Sequence, residues 1–192
     1  VIEQPFMTTL RLLLRPFVLT DAPGVQTLAG DKAIASTTLN IPHPYENSVA
    51  EKWIASQAKN FAAGSSVTFA VSHRKDKMLM GAISLEISRK HRHAEMGYWI
   101  GKPYWNQGYC TESAMALLQY GFDILDLQRI FAHHLTRNPA SGRVMQKIGM
   151  VHEGCLRKHV LKWNVFEDLE VYGLLQREWK SLPDIIENMW YE

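Results

Sequence analysis

Cysteine is scarce in this chain. Cys110 and Cys155 are the two among 192 residues, too few for a disulfide framework. Long apolar runs are missing too. Stretches such as Ala114 to Leu118 fall far below the roughly 20 residues a helix needs to cross a bilayer, so no membrane partner is expected. No sign of charge dominates: 21 Lys+Arg against 19 Asp+Glu leave +2, which makes no electrostatic case for DNA or RNA. Residues 1–7 lack the charged start and apolar run of a secretory signal. With no repeat, low-complexity tract or Pro/Gly/Ser-rich linker, one domain over 1–192 is expected. At 46% hydrophobic and 21% charged, the composition is that of an ordinary globular protein. These absences point to a soluble, cytoplasmic protein, monomeric or homodimeric. They name no function.

Periodicity supplies the elements. Leu10 to Arg15 reads as an opening strand running into Pro16. Thr20 and Asp21 can cap a helix through Leu28, and the prolines of Ile41–Pro44 mark a loop. Ser48 with Glu51 three residues on reads as a capping box for a helix that stops near Gly64. Val67, Phe69 and Val71 alternate with small or polar residues, as do Ile83, Leu85 and Ile87, then Met96, Tyr98 and Ile100. Such period-two runs joined by polar turns predict antiparallel strands. Ala114, Leu117, Leu118, Phe122 and Leu125 then share one face of a helix opened by Gly108. Arg129–Thr136 reads as a strand, and Asn138–Pro139 starts a helix that Gly149 stops. Strand-like segments near 151–161 and 167–175 follow, then a short helix from Glu178 to Glu192 broken at Pro183. Strands with helices inserted, not a strict βαβ repeat, predict a mixed α/β (α+β) sheet.

The stretch from Trp99 to Glu112 carries the chemistry. A strand ends, a glycine-containing loop follows and an amphipathic helix begins, which exposes unpaired amides at a positive helix end. A diphosphate can sit there, with Gly108 letting it approach the main chain. Glu112 in the first turn suits the helix dipole but repels an anion unless it points away. One glycine before a helix also fits a plain turn, and neither the P-loop nor the three-glycine dinucleotide pattern is present.

Ala94–Ile100 together with Tyr104–Glu112 resembles the acetyl-CoA-binding core of the GNAT acyltransferases, and more narrowly their Rim-type branch of ribosomal-protein N-terminal acetyltransferases. Asn138–Ser141, Lys147–Met150, His152–Gly154 and the opening Leu10–Pro16 agree with that resemblance. It implies a mostly antiparallel seven-strand sheet, splayed at the centre and flanked by helices. It further implies acetyl-CoA as cosubstrate, with pantetheine on the main chain of Tyr98, Trp99 and Ile100. The pyrophosphate would lie on Asn106, Gln107, Gly108, Tyr109, Cys110 and Thr111, and Asn138 would touch the pantetheine region. Two positions depart from the pattern. Trp105 stands where Gln or Arg is usual, and Cys110 where Gly or Ala is usual.

Direct transfer needs an uncharged amine, an oxyanion donor and a proton for the leaving thiolate. Many GNAT enzymes use a tyrosine seven residues after the asparagine as acid, where this chain has Met145. The resemblance puts Ser141 in that role and Glu95 as the group assisting amine deprotonation. His134, or its neighbour His133, is the other candidate base, since histidine titrates at roughly 6.5. Strand alternation lets only one of the two histidines face a given side. No metal is expected, because His91, His93, His133 and His134 lack ligand partners at a recognised spacing. The acceptor is expected to be an amine, either a protein N-terminus or a small molecule such as a polyamine, amino sugar or amino acid. The segment from Thr20 to Gly64 that would wall its site carries no recognisable code. A non-catalytic acyl-CoA-binding regulator and a nucleotide-binding module are the rival classes.

Overall fold

The alternating apolar residues of the chain's middle form three long antiparallel strands in a computed structural model of the protein, which describes residues 3–181. These are β3 (Ser66–His73), β4 (Leu79–Ser88) and β5 (His93–Ile100). The hairpin of β1 (Met7–Thr8) and β2 (Leu12–Arg15) extends the sheet on the β3 side. On the other side lie β6 (Arg129–Leu135) and the long hairpin of β7 (Val151–Lys162) and β8 (Val165–Leu175). The order is β1-β2-β3-β4-β5-β6-β8-β7, and every pairing is antiparallel except β5 with β6. The sheet is therefore mixed, mostly antiparallel and flanked by helices. Eight strands stand where seven were expected, because Met7–Thr8 pairs with Leu13–Leu14 as a short added strand.

Alternation along the strands splits the apolar residues between two faces. Val67, Phe69, Ile83, Leu85 and Met96 pack against α4 (Tyr109–Gln119), whose residues 113–118 are all buried. Trp99 points the opposite way, into a second cluster with α1 (Ala22–Ala29) and α3 (Val49–Ala63). Beyond Gln119 the helix widens into a π turn over Tyr120–Ile124, which keeps Phe122 in the core. The remaining helices are α2 (Lys32–Thr37), α5 (Pro139–Lys147) and α6 (Gln176–Trp179). Among the described residues no helix is long and apolar enough to cross a membrane.

Several local expectations change. Ser48 precedes α3 with φ +65, and its side chain makes no capping bond, so the capping box with Glu51 does not form. Asp21 caps nothing through its side chain either, because Arg15 at 2.7 Å and the Val18 amide at 3.0 Å occupy its carboxylate. Helix α2 had no signal beyond Asp31, whose carboxylate accepts from the Ala33 amide at 2.8 Å. The closing helix starts at Gln176 rather than Glu178, and residues 182–192 lie outside those described.

Glu112 ties the first hairpin to the start of α4. Its carboxylate is 8% exposed and accepts from Thr9 Oγ1 at 2.5 Å, the Arg11 amide at 2.8 Å and Arg11 Nε at 2.7 Å. It thus points away from the mouth of the glycine loop, which removes the conflict with an anion there. Truncation would leave a hydroxyl and an amide unpaired beside a half-exposed guanidinium. Glu112→Ala is expected to cost about 2–3 kcal/mol, measured by urea denaturation. No change in midpoint would show that the clamp contributes nothing to stability.

Candidate active site

β5 keeps β4 as its partner through Ile100, but pairs with β6 only from His93 to Glu95. From Met96 onward the two strands part, so among the described residues the main-chain groups on that edge of β5 have no strand partner. One of them is claimed locally, since the Trp105 indole donates to the Ile100 carbonyl at 2.6 Å. The gap opens a continuous cleft of about 1080 Å³ that reaches both faces of the sheet.

The cleft's far mouth is the loop into α4. Asn106 at φ +59 and Gly108 at φ +80 turn the chain so that α4 begins with exposed amides. A Cβ on Gly108 would sit 3.3 Å from the movable Arg11 Nη2, so it is the left-handed backbone at φ +80 that favours glycine here. Arg11 braces the loop: Nη1 donates to the Gln107 carbonyl at 2.9 Å, and the guanidinium lies 4.5 Å over the Tyr109 ring. Asn106, Gly108, Tyr109, Cys110 and Thr111 line the cleft. Gln107 does not; its side-chain amide turns back to the Pro103 carbonyl at 3.1 Å. Burial pushes the Cys110 thiol up to about 12, so it stays a neutral thiol near pH 7.

Two sets of polar groups meet at the gap from opposite faces. On the α4 and α5 side, Tyr98 Oη is 2.9 Å from Ser141 Oγ in the first turn of α5. Asn138 precedes that helix and lines the cleft too, although its side chain caps nothing. On the α1 and α3 side, Glu95 lies beside His133, with Oε1 to Nδ1 at 3.2 Å. His134 points the other way. It is 7% exposed, contacts the Leu135 carbonyl through Nδ1 at 2.8 Å, stacks on Tyr172 and crowds Gly142 of α5. Both histidines border the cleft, but the geometry joins His133, not His134, to Glu95. Met145 is a core residue, 1% exposed. Among the described residues no group of three or more His, Cys, Asp and Glu is placed to hold a metal.

Two residues escaped the sequence reading. Arg11 reads in the sequence only as part of the opening Leu10–Pro16 stretch, with no role at the glycine loop. Glu86 on β4 stands directly across from Glu95 and lines the cleft floor. It occupies an ordinary polar position of the β4 alternation, so only the register of β4 with β5 reveals its place. The surrounding protein raises the Glu86 pKa, and the nearby Glu95 charge raises it further. The folded chain thus holds that proton more tightly than the unfolded chain. Stability falls as pH rises from the ordinary glutamate range through the raised value. Glu86→Gln should therefore be at least as stable as the parent at neutral pH, with any advantage fading as pH drops below that window. Thermal melts across pH would refute the assignment if the variant were less stable at pH 7 and equal in acid.

With this geometry in place, similarity to known proteins is specific. The family model for an acetyltransferase (GNAT) domain matches residues 11–151. The uncharacterized N-acetyltransferase YnaD of Bacillus subtilis is 33% identical over 173 residues, covering 90% of this chain and 98% of that protein. The ribosomal-protein-serine acetyltransferase of Escherichia coli is 28% identical over 100 residues, 52% of this chain and 56% of the relative. The solved structure of spermidine N-acetyltransferase from Vibrio cholerae, in complex with CoA and spermine, superposes with a TM-score of 0.76 at 26% identity, covering 88% of this chain and 98% of that one. Sequence and fold thus agree, and the chain belongs to the GNAT acetyltransferases, with Rim-type enzymes among its relatives.

Proposed function

We propose that this enzyme transfers the acetyl group of acetyl-CoA directly to a primary amine in a ternary complex, with no covalent enzyme intermediate. The observation that carries the reading is the β5 edge beyond Glu95, which has left β6 and leads into the Gly108 loop at the start of α4. A free strand edge followed by exposed helix amides matches a ligand that is amide-bearing at one end and a diphosphate at the other. The residues therefore fit acetyl-CoA. Tyr98, Trp99 and Ile100 would hold the pantetheine arm, the loop from Asn106 to Thr111 the pyrophosphate, and Asn138 the arm's far side. When bound, acetyl-CoA supplies a thioester carbonyl activated toward amines.

Ser141 Oγ holds a proton at the lip of the gap and is the acid for the leaving sulfur. Glu95, oriented by His133 Nδ1 at 3.2 Å, takes the proton of the incoming ammonium directly or through a water. The facing geometry supports His133 in this pair; His134 is turned toward α5 and Tyr172. An α-amine needs little help from a base, since its pKa is near 8.

For the acceptor, the relative that acts on ribosomal protein supports a protein N-terminal α-amine. A second reading, a small polyamine-like acceptor, is favoured by Glu86 and Glu95 side by side on the cleft floor and by the spermidine-acetylating relative. Two free cysteines suit a reducing, cytoplasmic setting for either acceptor.

Titration calorimetry with acetyl-CoA, against ATP as control, should give saturable binding to acetyl-CoA alone. Ser141→Ala is expected to lower kcat by about 10²-fold while that affinity is kept. Folded protein that ignores acetyl-CoA would sink the reading; an unimpaired Ser141→Ala would remove the serine from the mechanism.

A further inference from the structure

Where β5 and β6 part, no backbone hydrogen bond joins them among the described residues, and on the α5 side a tyrosine reaches across instead. Tyr98 stands on β5 past the last paired residue, Glu95. Ser141 stands on α5, which follows directly from β6. Tyr98 Oη reaches Ser141 twice: its hydroxyl donates to the Ser141 carbonyl at 3.1 Å and lies 2.9 Å from Ser141 Oγ. A serine in the first turn of a helix ordinarily satisfies its hydroxyl on nearby backbone. Among the described residues, Ser141 Oγ instead has Tyr98 as its hydrogen-bond partner.

Counting protons gives this pair two states. A phenol carries one proton, and Ser141 offers it two acceptors, the carbonyl oxygen and Oγ. With the Tyr98 proton on the carbonyl, the Ser141 hydroxyl donates to Tyr98 Oη and is held. With the Tyr98 proton turned to Oγ, the serine's own proton is released from that bond. The second state is also the one that stabilises negative charge on Oγ, because hydrogen bonds to an ionised oxygen are roughly twice as strong as neutral ones. Burial, with the neighbouring Cys110 adding to it, drives the Tyr98 pKa upward against the lowering effect of Ser141. The phenol therefore remains a donor across the whole working pH range.

We infer that Tyr98 is a positioning residue for acetyl transfer, aiming the Ser141 hydroxyl at the leaving sulfur and turning its own proton onto Oγ as that proton departs. The inference rests on the role of Ser141 as acid proposed above. The step balances without a further reagent. The carbon–sulfur bond breaks with its electron pair on sulfur, and Ser141 Oγ passes its proton to that thiolate. Water in the open cleft then restores a proton to Oγ, matching the one lost by the amine when the amide forms. Tyr98 ends each cycle protonated, as it began. A tyrosine expected to serve the cofactor through its main chain thus has a separate task for its hydroxyl.

Tyr98→Phe keeps the ring that packs against the core and removes only the hydroxyl. Its kcat should fall about tenfold, near the rate equivalent of one hydrogen bond, with KM for acetyl-CoA and the melting temperature little changed. A purely structural tyrosine would move the melting temperature or KM instead. The decisive measurement is the double-mutant cycle: adding Tyr98→Phe to Ser141→Ala should cost no further activity, since the group it aims is gone. Full kcat in Tyr98→Phe, or an additional loss in the double variant, overturns the inference. Full turnover in Ser141→Ala alone would overturn the acid role beneath it, and is read without any Tyr98 variant.

Discussion

Everything that makes this sheet chemically useful depends on the three-residue length of the β5–β6 pairing. Parallel strands that stayed in register would satisfy each other's main-chain groups and leave no slot. Here they meet from His93 to Glu95 and then part. The core permits this because each strand has a second partner. β5 is held along its whole length by β4, and β6 along its whole length by β8. The separation leaves hydrogen-bonding capacity on one strand edge, at the point where an exposed helix end and a hydroxyl pair converge. Unspent backbone polarity is costly in a protein interior, so such an edge needs water or another partner in the cleft.

The polar residues around the gap are sorted by face. Tyr98, Ser141 and the neutral Cys110 thiol lie with α4 and α5, where donors without formal charge suit a leaving sulfur. Glu86, Glu95 and His133 border the opposite side, with α1 and α3, where carboxylates suit an incoming ammonium. Glu112 sits in the first turn of α4, where a carboxylate would repel any anion at the helix end unless directed elsewhere, and Thr9 and Arg11 direct it. The same guanidinium braces the loop through the Gln107 carbonyl, so the first hairpin acts on the site from the far edge of the sheet.

Legibility followed the kind of signal. Period-two alternation located β3, β4 and β5, and the glycine at 108 located the start of α4, because both reflect local backbone requirements. Local propensity failed where tertiary contacts outweighed it. Ser48 has the residue type of a cap, yet its left-handed backbone turns the side chain away from the helix. Asp21 does too, but the ion pair with Arg15 is the stronger partner for its carboxylate. Helix α2 is short, and its burial of Ile34 and Ala35 comes from neighbours that periodicity over six residues does not reveal.

By itself the sequence determined most of the strand and helix pattern, the glycine turn that opens α4 and the family to which the chain belongs, because these rest on spacing along the backbone. Only the tertiary structure decided which groups face one another. The choice of His133 over His134 beside Glu95, the partnership of Glu86 with Glu95, the reach of Arg11 to the glycine loop and the bond from Tyr98 to Ser141 each join residues from separate elements. Their distances are set by register, by the angle at which two strands part and by the helix that follows. Those quantities belong to the packed chain and leave no mark on any one segment of it.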